Sequence, residues 1–576
     1  MDVRGLFLPS LRGYARAWLG TDLLAGLTLA AICVPESMAD AKLAAMPPIT
    51  GLYAFLAGAL GAVLFSTSRQ LSIGPDSTIN PMIAVGVGSI VALSSPDYPA
   101  RVVLLGLLVG LAVLVAGVAR LGFLANLLSR PVMSGFLSGI GITVVVGQLH
   151  VLLGIPSVSG GTLASLAGLV RDLPSTNVLT LAIGLAVLLI VVGGERLGPR
   201  FPGALVAVLG SLLAVAVFDL GRHGVAVVGA LPAGLPSIAL PAMSPSDVSS
   251  LVPIAIPIFF IMLAQTAATA RGFAVAGGYD VRVDREFVAV GAASVVSGMF
   301  GSFALDASPT RTGVVAASNG RSQVVNLTAG LLVAAVLLAA TGLLADLPEA
   351  TLGGILVAVG VKLVKWRDLA TVARYSRAEW AIAVITLLVV ALVGIEQGIY
   401  LAIALALLRR IYLSARPHDA VLIRLPGPEG VWVSQRHDPG ATLPTGVRVF
   451  RYDAPLFYAN AQHFAARVRA VISDAGEPIR ALVIEAIGID DVDFTGAQVL
   501  AELDDELAAR KVVLAFAHPF GRLGTELSAG TLRARFAGRV FNSVDDAIAA
   551  LGPAGPASSA PRAEAAGSAS TAPDPR

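Results

Sequence analysis

Long apolar runs recur along this chain from about Asp22 to Ser414 and then stop. Unbroken ones such as Val102 to Ala119, Val178 to Gly193 and Trp380 to Gly394 approach the ~20 residues with which a helix crosses hydrocarbon. The pattern predicts about fourteen segments, with cores near 22–40, 51–66, 76–93, 101–119, 131–150, 178–194, 201–218, 251–270, 285–300, 309–319, 324–345, 351–364, 379–394 and 397–414. Two of them are broken at their starts by a proline set among hydroxyl and charged residues. The first break reads SIGPDSTIN, Ser72 to Asn80, and the second LDASPTRTG, Leu305 to Gly313. Each precedes a run too short to cross a bilayer alone. Matched half-spans of this kind point to a binding site at the membrane midplane.

Composition agrees and narrows the class. With 576 residues, 56% hydrophobic and only 14% charged, and a mean hydropathy of +0.80, the chain is a polytopic α-helical membrane protein. The apolar segments begin too late and recur too often for a cleaved signal peptide. The single cysteine, Cys33, excludes an internal disulfide and any multi-cysteine metal site and reads as a small packed residue. The net charge of +2 says little about partners; its distribution says more. With a cytoplasmic N-terminus, alternate loops collect twenty Arg and Lys, from Arg4 and Arg12 through Arg130, Arg200, Arg271 and Lys365 to Arg416, whereas the other side receives Lys42, Arg101, Arg171 and Arg222. That bias puts both termini in the cytoplasm. The expected location is the cell's inner, cytoplasmic membrane, with lipid as the surrounding partner.

Fourteen segments divide into seven and seven, and an odd number per half inserts the second half upside down. The repeats are placed at about 21–218 and 251–414, inside a membrane domain over 21–416 that follows a cytoplasmic stretch, residues 1–20. The two breaks open the third segment of each half, so two half-helix N-termini face each other. Their unpaired N–H groups and partial positive charges suit an anion.

Arg311 is expected in the first turn of the second half-helix, beside Ser308 and Thr310, as the anion's counter-charge. An arginine at membrane depth is costly unless it faces a wet cavity or a partner; the other reading places it at a membrane surface. Ser77 and Thr78, opposite in the repeat, either donate hydroxyl hydrogen bonds to the same anion or cap the helix start, and Asp76 reads as a cap. Glu36, in apolar surroundings, is a candidate proton carrier. Asp40 follows one turn later and Lys42 soon after; all three alternatively sit solvated at the outer edge. Gln265, with Thr266 and Thr269, stands in the eighth segment, the repeat partner of the first, and either coordinates the anion or ties helices together.

These motifs resemble the SulP anion transporters, which include sulfate permeases, bicarbonate transporters, pendrin and prestin. AGLTLAAICVPESMADAKLAAMPPITGLYAFLAGAL is similar to that family's first two segments, SRQLSIGPDSTINP to its third, ATARGFAVAGGYDVRVDREFVAVGAASVVSGMFGSF to its eighth and ninth, and SPTRTGVVAASNGRSQ to the start of its tenth. The resemblance runs from about Trp18 to Ala550. It implies core and gate domains with elevator-like movement, homodimerisation, and small anions as substrates: sulfate, bicarbonate, chloride or carboxylates. It also matches Arg311 to the family's anion-site arginine. Glu36 stands where many members carry glutamine, and a carboxylate there goes with proton-coupled bacterial members. Gln265 stands where sodium-coupled members carry an acid, which argues against sodium.

Beyond Arg416 the composition turns soluble. Val447 to Asn460, Ala481 to Gly488 and KVVLAFAH read as strands; helical spacing appears through Phe464, Val468 and Ile472, through VLAELDDELAARK, and in SVDDAIAAL from Ser543. The alternation predicts a compact α/β domain over 440–552, similar to a STAS domain, with DFTG at 493–496 where a phosphorylatable loop would stand. Phe494 replaces the usual phosphoserine, and Thr495 is a weaker candidate. The Pro/Ala/Ser-rich tail, 553–576, reads as disordered.

The expected function is secondary active transport of small anions, with proton coupling through Glu36. The alternatives are an uncoupled anion channel or exchanger, a nucleobase permease of the same fold, which Gln265 and Arg311 disfavour, and a STAS-linked anion sensor. No enzyme is expected: His150, His223, His418, His437, His463 and His518 have no metal-ligand spacing, and no GxxxxGK[ST] loop occurs. Neither cofactor, metal nor nucleic acid partner is expected.

Overall fold

The computed structural model describes residues 8–11, 13–123, 129–156, 162–197, 203–241, 244–425, 431–437 and 445–552. The tail from 553, the first seven residues, Arg12 and Arg200 lie outside them. Packing divides the chain into two units, Met1–Ala406 and Leu407–Arg576.

The first unit contains α1 (Leu19–Leu43), α2 (Pro48–Phe65), β1 (Ile73–Gly74), α3 (Asn80–Gly88), α4 (Tyr98–Val118), α5 (Arg130–Leu153), α6 (Thr162–Asp172), α7 (Val178–Leu197), α8 (Gly203–Phe218), α9 (Pro245–Gly277), α10 (Val283–Met299), β2 (Asp306–Ala307), α11 (Pro309–Ala317), α12 (Val324–Ala339), α13 (Thr341–Leu344), α14 (Glu349–Leu363), α15 (Trp366–Tyr375), α16 (Arg377–Leu392) and, reaching past Ala406, α17 (Ile395–Ala415). All fourteen predicted segments fall on a helix. Among the described residues, α1, α2, α4, α5 and α9 are long and apolar enough by themselves to cross a membrane, and Val178–Gly194, Gly203–Phe218 and Val324–Ala339 are shorter apolar helices. Proline at the first or second position starts α2, α3, α4, α5, α9 and α11, where its fixed φ helps and its missing N–H is not needed.

The helices exchange partners in the manner of an inverted repeat. Where α1 packs on α11 and α12, α9 packs on α3 and α4; where α5 packs on α16, α14 packs on α7. Two bundles result, one of α1–α4 with α9–α12 and one built on α5, α7, α8, α14 and α16, which meet where α1 lies against α8 and α14. Lys42 at the end of α1 pairs with Glu349 at the start of α14 at 2.6 Å across that seam.

Three details depart from the hydrophobic pattern. The segment predicted at 324–345 breaks at Ala340, where φ is −127°. The short helices α6 and α15 were not expected, because neither is apolar all round. The first half-helix starts at Asn80 rather than at the Gly74-Pro75 break. Pro81 sets that start, and Asp76 Oδ1 accepts the Thr78 N–H at 2.9 Å, making a turn of residues 77–79.

The second unit holds a six-stranded sheet in the order β4-β3-β5-β6-β7-β8. The strands are β3 (Asp419–Arg424), β4 (Trp432–Ser434), β5 (Val447–Tyr452), β6 (Ala481–Glu485), β7 (Val513–Ala517) and β8 (Val540–Phe541), with α18 (Ala461–Ser473), α19 (Phe494–Ala509), α20 (Gly521–Ser528) and α21 (Val544–Leu551). Strands β5 to β8 run parallel, and β3 is antiparallel to both β4 and β5. The strands expected within 447–460, 481–488 and 511–518 are all present. The sheet also includes β3, β4 and β8, which are short or only partly buried and carry no clear alternation.

Candidate functional site

The two proline breaks meet. Strand β1 pairs antiparallel with β2, Ile73 opposite Ala307 and Gly74 opposite Asp306. The pairing is extended by the Ser308 N–H, which donates to the Ser72 carbonyl at 3.0 Å, and by the Ser72 N–H, which donates to Thr312 Oγ1 at 3.1 Å. Pro75 and Pro309 then end the strands, since neither has an N–H to continue the ladder. Helices α3 and α11, nine residues each, are roughly 14 Å long at 1.5 Å per residue, about half of a bilayer core. Antiparallel strands followed by half-helices set the two helix starts on opposite sides of one crossing.

Arg311 occupies that crossing. Its backbone is fixed by Ser308, the N-cap of α11, whose Oγ accepts the Arg311 N–H at 3.4 Å. Its side chain is fully buried and runs past Gly74, where a Cβ would stand 3.3 Å from the guanidinium carbon. One guanidinium nitrogen donates to the Pro75 carbonyl. Another, Nη1, lies 4.0 Å from Asp40 Oδ2. Nη1 and Nε have no hydrogen-bond partner, and neither do Glu36 Oε2, Asp40 Oδ1 and Asn80 Oδ1 around them. Unmade hydrogen bonds on buried groups cost about 1–3 kcal/mol each, more for charged groups. A buried cluster with both orphan donors and orphan acceptors has unmet hydrogen-bonding capacity of both kinds. An oxyanion satisfies the arginine N–H groups, and a proton satisfies a carboxylate.

The predicted residues fall in different places around this centre. Ser308 and Arg311 are buried in it, while Thr310, next in sequence, is exposed, because successive residues of a helix point about 100° apart. Ser77 and Thr78 lie in the turn ahead of α3 rather than on its first turn; Thr78 is buried and Ser77 partly exposed. Gln265 is buried, and its Nε2 donates to the Ala307 carbonyl at 3.4 Å, bracing β2. Glu36 is partly buried on α1, and Asp40, one turn on, has the nearer carboxylate to Arg311. The sequence reading missed Asp306. Its Oδ1 accepts from Thr266 Oγ1 at 2.8 Å and from the Ala307 N–H at 2.7 Å.

Beside Gln265 and Pro309 opens a cleft of about 810 Å³ between α5, α9 and the start of α15. Arg130, Arg271 and Lys365 line it against a single acid, Asp368. Such a surplus of cations concentrates anions at the mouth. Glu286, also missed, serves a different purpose. Its buried carboxylate accepts from Ser66 Oγ at 2.5 Å, Thr67 N–H at 2.8 Å, Thr67 Oγ1 at 2.5 Å and Ser68 N–H at 3.0 Å, fixing the loop that leads into β1.

In the second unit Asp493 caps α19, its Oδ1 accepting the Gly496 N–H at 2.7 Å and its Oδ2 the Tyr458 N–H at 2.9 Å. Phe494 stands exposed on this loop and Thr495 is partly buried.

Residues 19–386 match the sulfate permease family, and residues 439–547 match the STAS domain. Relatives include a "Probable sulfate transporter" of Mycobacterium tuberculosis, 36% identical over 525 residues, 90% of this chain and 93% of that one. Prestin of Danio rerio is 30% identical over 493 residues, 79% of this chain and 66% of that one. Among solved structures, the murine Solute Carrier 26 family member A9 anion transporter has a TM-score of 0.86 at 22% identity, covering 95% of this chain and 94% of that one. The transmembrane domain of the cyanobacterial bicarbonate transporter BicA has a TM-score of 0.60 at 23% identity, covering 68% of this chain and 98% of that one. These two likenesses concern the fold, whereas the family match and the mycobacterial relative cover most of the sequence, and on them the chain belongs to the SulP, or sulfate permease, family of membrane anion transporters, with a C-terminal STAS domain.

Proposed function

We propose that this protein is a proton-coupled transporter of sulfate or a related small oxyanion, which binds at Arg311 between the starts of α3 and α11. The observation that carries this reading is the pairing of opposite deficits in one buried place. Arg311 holds two guanidinium nitrogens without a hydrogen-bond partner, and the carboxylates of Glu36 and Asp40 each hold an oxygen without one. An anion entering alone satisfies only the first deficit, and with a proton it satisfies both. Ser308, through its place at the start of α11, and Gln265, through the wall of the cleft, flank the path; Thr310 faces its solvent side. Ser77 and Thr78 line the opposite turn. Sulfate is put first because the 36% identical relative bears that name.

In this reading the bundle of α1–α4 and α9–α12 carries the anion by moving against the other bundle in an elevator-like step. The seam between α1 and α8 or α14 is where that sliding occurs, and the Lys42 to Glu349 pair opens with it. The cationic cleft faces the cytoplasm, as Arg130, Arg271 and Lys365 belong to the positively charged side. Both termini are then cytoplasmic, the location is the cytoplasmic membrane, and the working form is a homodimer.

Sulfate uptake into proteoliposomes under an imposed pH gradient tests the reading. The wild type concentrates sulfate when the outside is acidic, and Glu36→Gln transports without responding to the gradient. Sulfate flux in the wild type that never exceeds equilibrium, as through a channel, refutes coupling. A Glu36→Gln variant that follows the gradient like the wild type refutes the role of Glu36.

A further inference from the structure

The acidic groups around Arg311 outnumber it. Glu36, Asp40 and Asp76 lie within its electrostatic reach, and Asp306 lies within that of both Arg311 and Asp76. One guanidinium, with the Lys362 ammonium acting on Glu36, thus meets four carboxylates in a place where an anion is to be held. Even with Glu36 protonated, three carboxylates and a divalent anion would leave the site strongly negative and buried, and uncompensated buried charge costs several kcal/mol per ion. Further charge must leave when the anion arrives.

The geometry distinguishes the remaining three. Asp40 is the ion partner of Arg311, and Asp76 accepts a backbone N–H within its own turn. Asp306 is different. Both its donors, Thr266 Oγ1 and the Ala307 N–H, fall on the same oxygen, Oδ1. The other oxygen, Oδ2, is buried without any partner, on a residue that is itself 0% exposed. That leaves Oδ2 free to take up a proton, because in a neutral carboxylic acid the carbonyl oxygen accepts while the hydroxyl oxygen carries the proton. Once an anion occupies the site, an ionised Asp306 would set a bare charged oxygen beside further negative charge in the protein interior.

The elements packed on Asp306 supply little to offset its charge. From α9 come the neutral Thr266 and Gln265, from α10 the Ser294 hydroxyl, which donates to the Leu305 carbonyl at 3.2 Å, and from the turn after β1 the like-charged Asp76. Among the described residues the opposing charge acting on it is Arg311 on α11, which already answers Asp40 and the Pro75 carbonyl.

We infer that Asp306 is a second proton-carrying carboxylate of this site, so that each anion is accompanied by two protons, one on Glu36 and one on Asp306. The inference rests on the proton-coupled reading of Glu36 and adds a carrier on a different element, β2 rather than α1. When the anion leaves and the site opens to solvent, the proton on Oδ2 dissociates, and Asp306 is reset by the next proton. No bond other than O–H is made or broken.

Calorimetric titration of the full-length protein with sulfate, repeated near neutral pH in buffers of different ionisation enthalpy, counts protons taken up per anion bound. The expected counts are about two for the wild type, about one for Asp306→Asn, about one for Glu36→Gln and none for the double variant. A wild-type count of one, or a count of two that Asp306→Asn leaves unchanged, overturns the role of Asp306 and leaves that of Glu36 standing. A wild-type count of zero overturns the proton-coupled reading itself, and this inference with it. Asp306→Ser, which keeps a small acceptor for the Ala307 N–H, reports the same count should the asparagine variant fail to fold, and the wild-type count needs no variant.

Discussion

Gly58 offers a test of how tightly the crossing is built. It lies on α2 where the helix meets the start of β1, and a Cβ there would stand 2.2 Å from the Ile73 carbonyl oxygen and 2.7 Å from its carbon. Against an ordinary nonbonded contact of ~3.5 Å, about 1 Å of room is missing. The obstruction is backbone, so no side-chain rotation relieves it. Gly58→Ala therefore pushes β1 away from α2 or bends the helix, at a cost of about 1–3 kcal/mol for overpacking. Because Ile73 is followed at once by Gly74 and Pro75, which bound the Arg311 guanidinium, the displacement reaches the anion site. We expect sulfate affinity, measured by calorimetry in detergent, to fall at least tenfold, about 1.4 kcal/mol, with a lowered melting temperature. Gly193→Ala is the control, since nothing lies within 4 Å of a Cβ there. If Gly58→Ala binds sulfate and melts like the wild type while the control does the same, β1 is not seated as described and the reasoning fails.

Two further outcomes follow from groups outside the anion pocket. Glu286→Ala removes the acceptor of four hydrogen bonds and orphans buried donors at ~1–3 kcal/mol each, so the melting temperature should drop sharply, with Glu286→Gln in between; a wild-type melting curve for Glu286→Ala would show that the 66–68 loop does not depend on it. In the second unit, burial pushes the Tyr452 phenol above its ordinary value. The folded state thus holds this proton more tightly than the unfolded chain, so its contribution is complete below pH ~10, the unfolded value, and is lost as the pH rises beyond it. Tyr452→Phe should flatten that alkaline decline in thermal unfolding of the full chain, and an unchanged pH profile would contradict it.

Much of the membrane unit can be read from apolar run length, because lipid accepts only helices and closed barrels. The charge distribution and the odd count per half then give the inverted pairing. What escapes is set by single residues or by distant partners. The start of α3 depends on Pro81 and on the Asp76 carboxylate, neither of which changes the hydrophobic pattern. Arg311 is legible as an arginine at membrane depth, and Ser308 as a cap just before a proline. Asp306 is not legible, since its meaning arises from Thr266 on α9 and from lying opposite Gly74. Glu286 binds residues some 220 positions earlier, and Asp40 reads much like Glu36 until the fold places its carboxylate nearer Arg311. Sequence spacing ranks residues along one helix; it does not show which of them a second helix will face.

The central claim is that Arg311 holds the anion, and its direct test is sulfate binding to Arg311→Ala, with fold checked by size-exclusion chromatography and circular dichroism. We predict affinity at least a hundredfold weaker, about 2.8 kcal/mol, in a protein that remains monodisperse and helical, and Arg311→Lys, with one ammonium in place of the guanidinium fork, only partly restored. A folded Arg311→Ala protein that binds sulfate as tightly as the wild type would place the anion elsewhere.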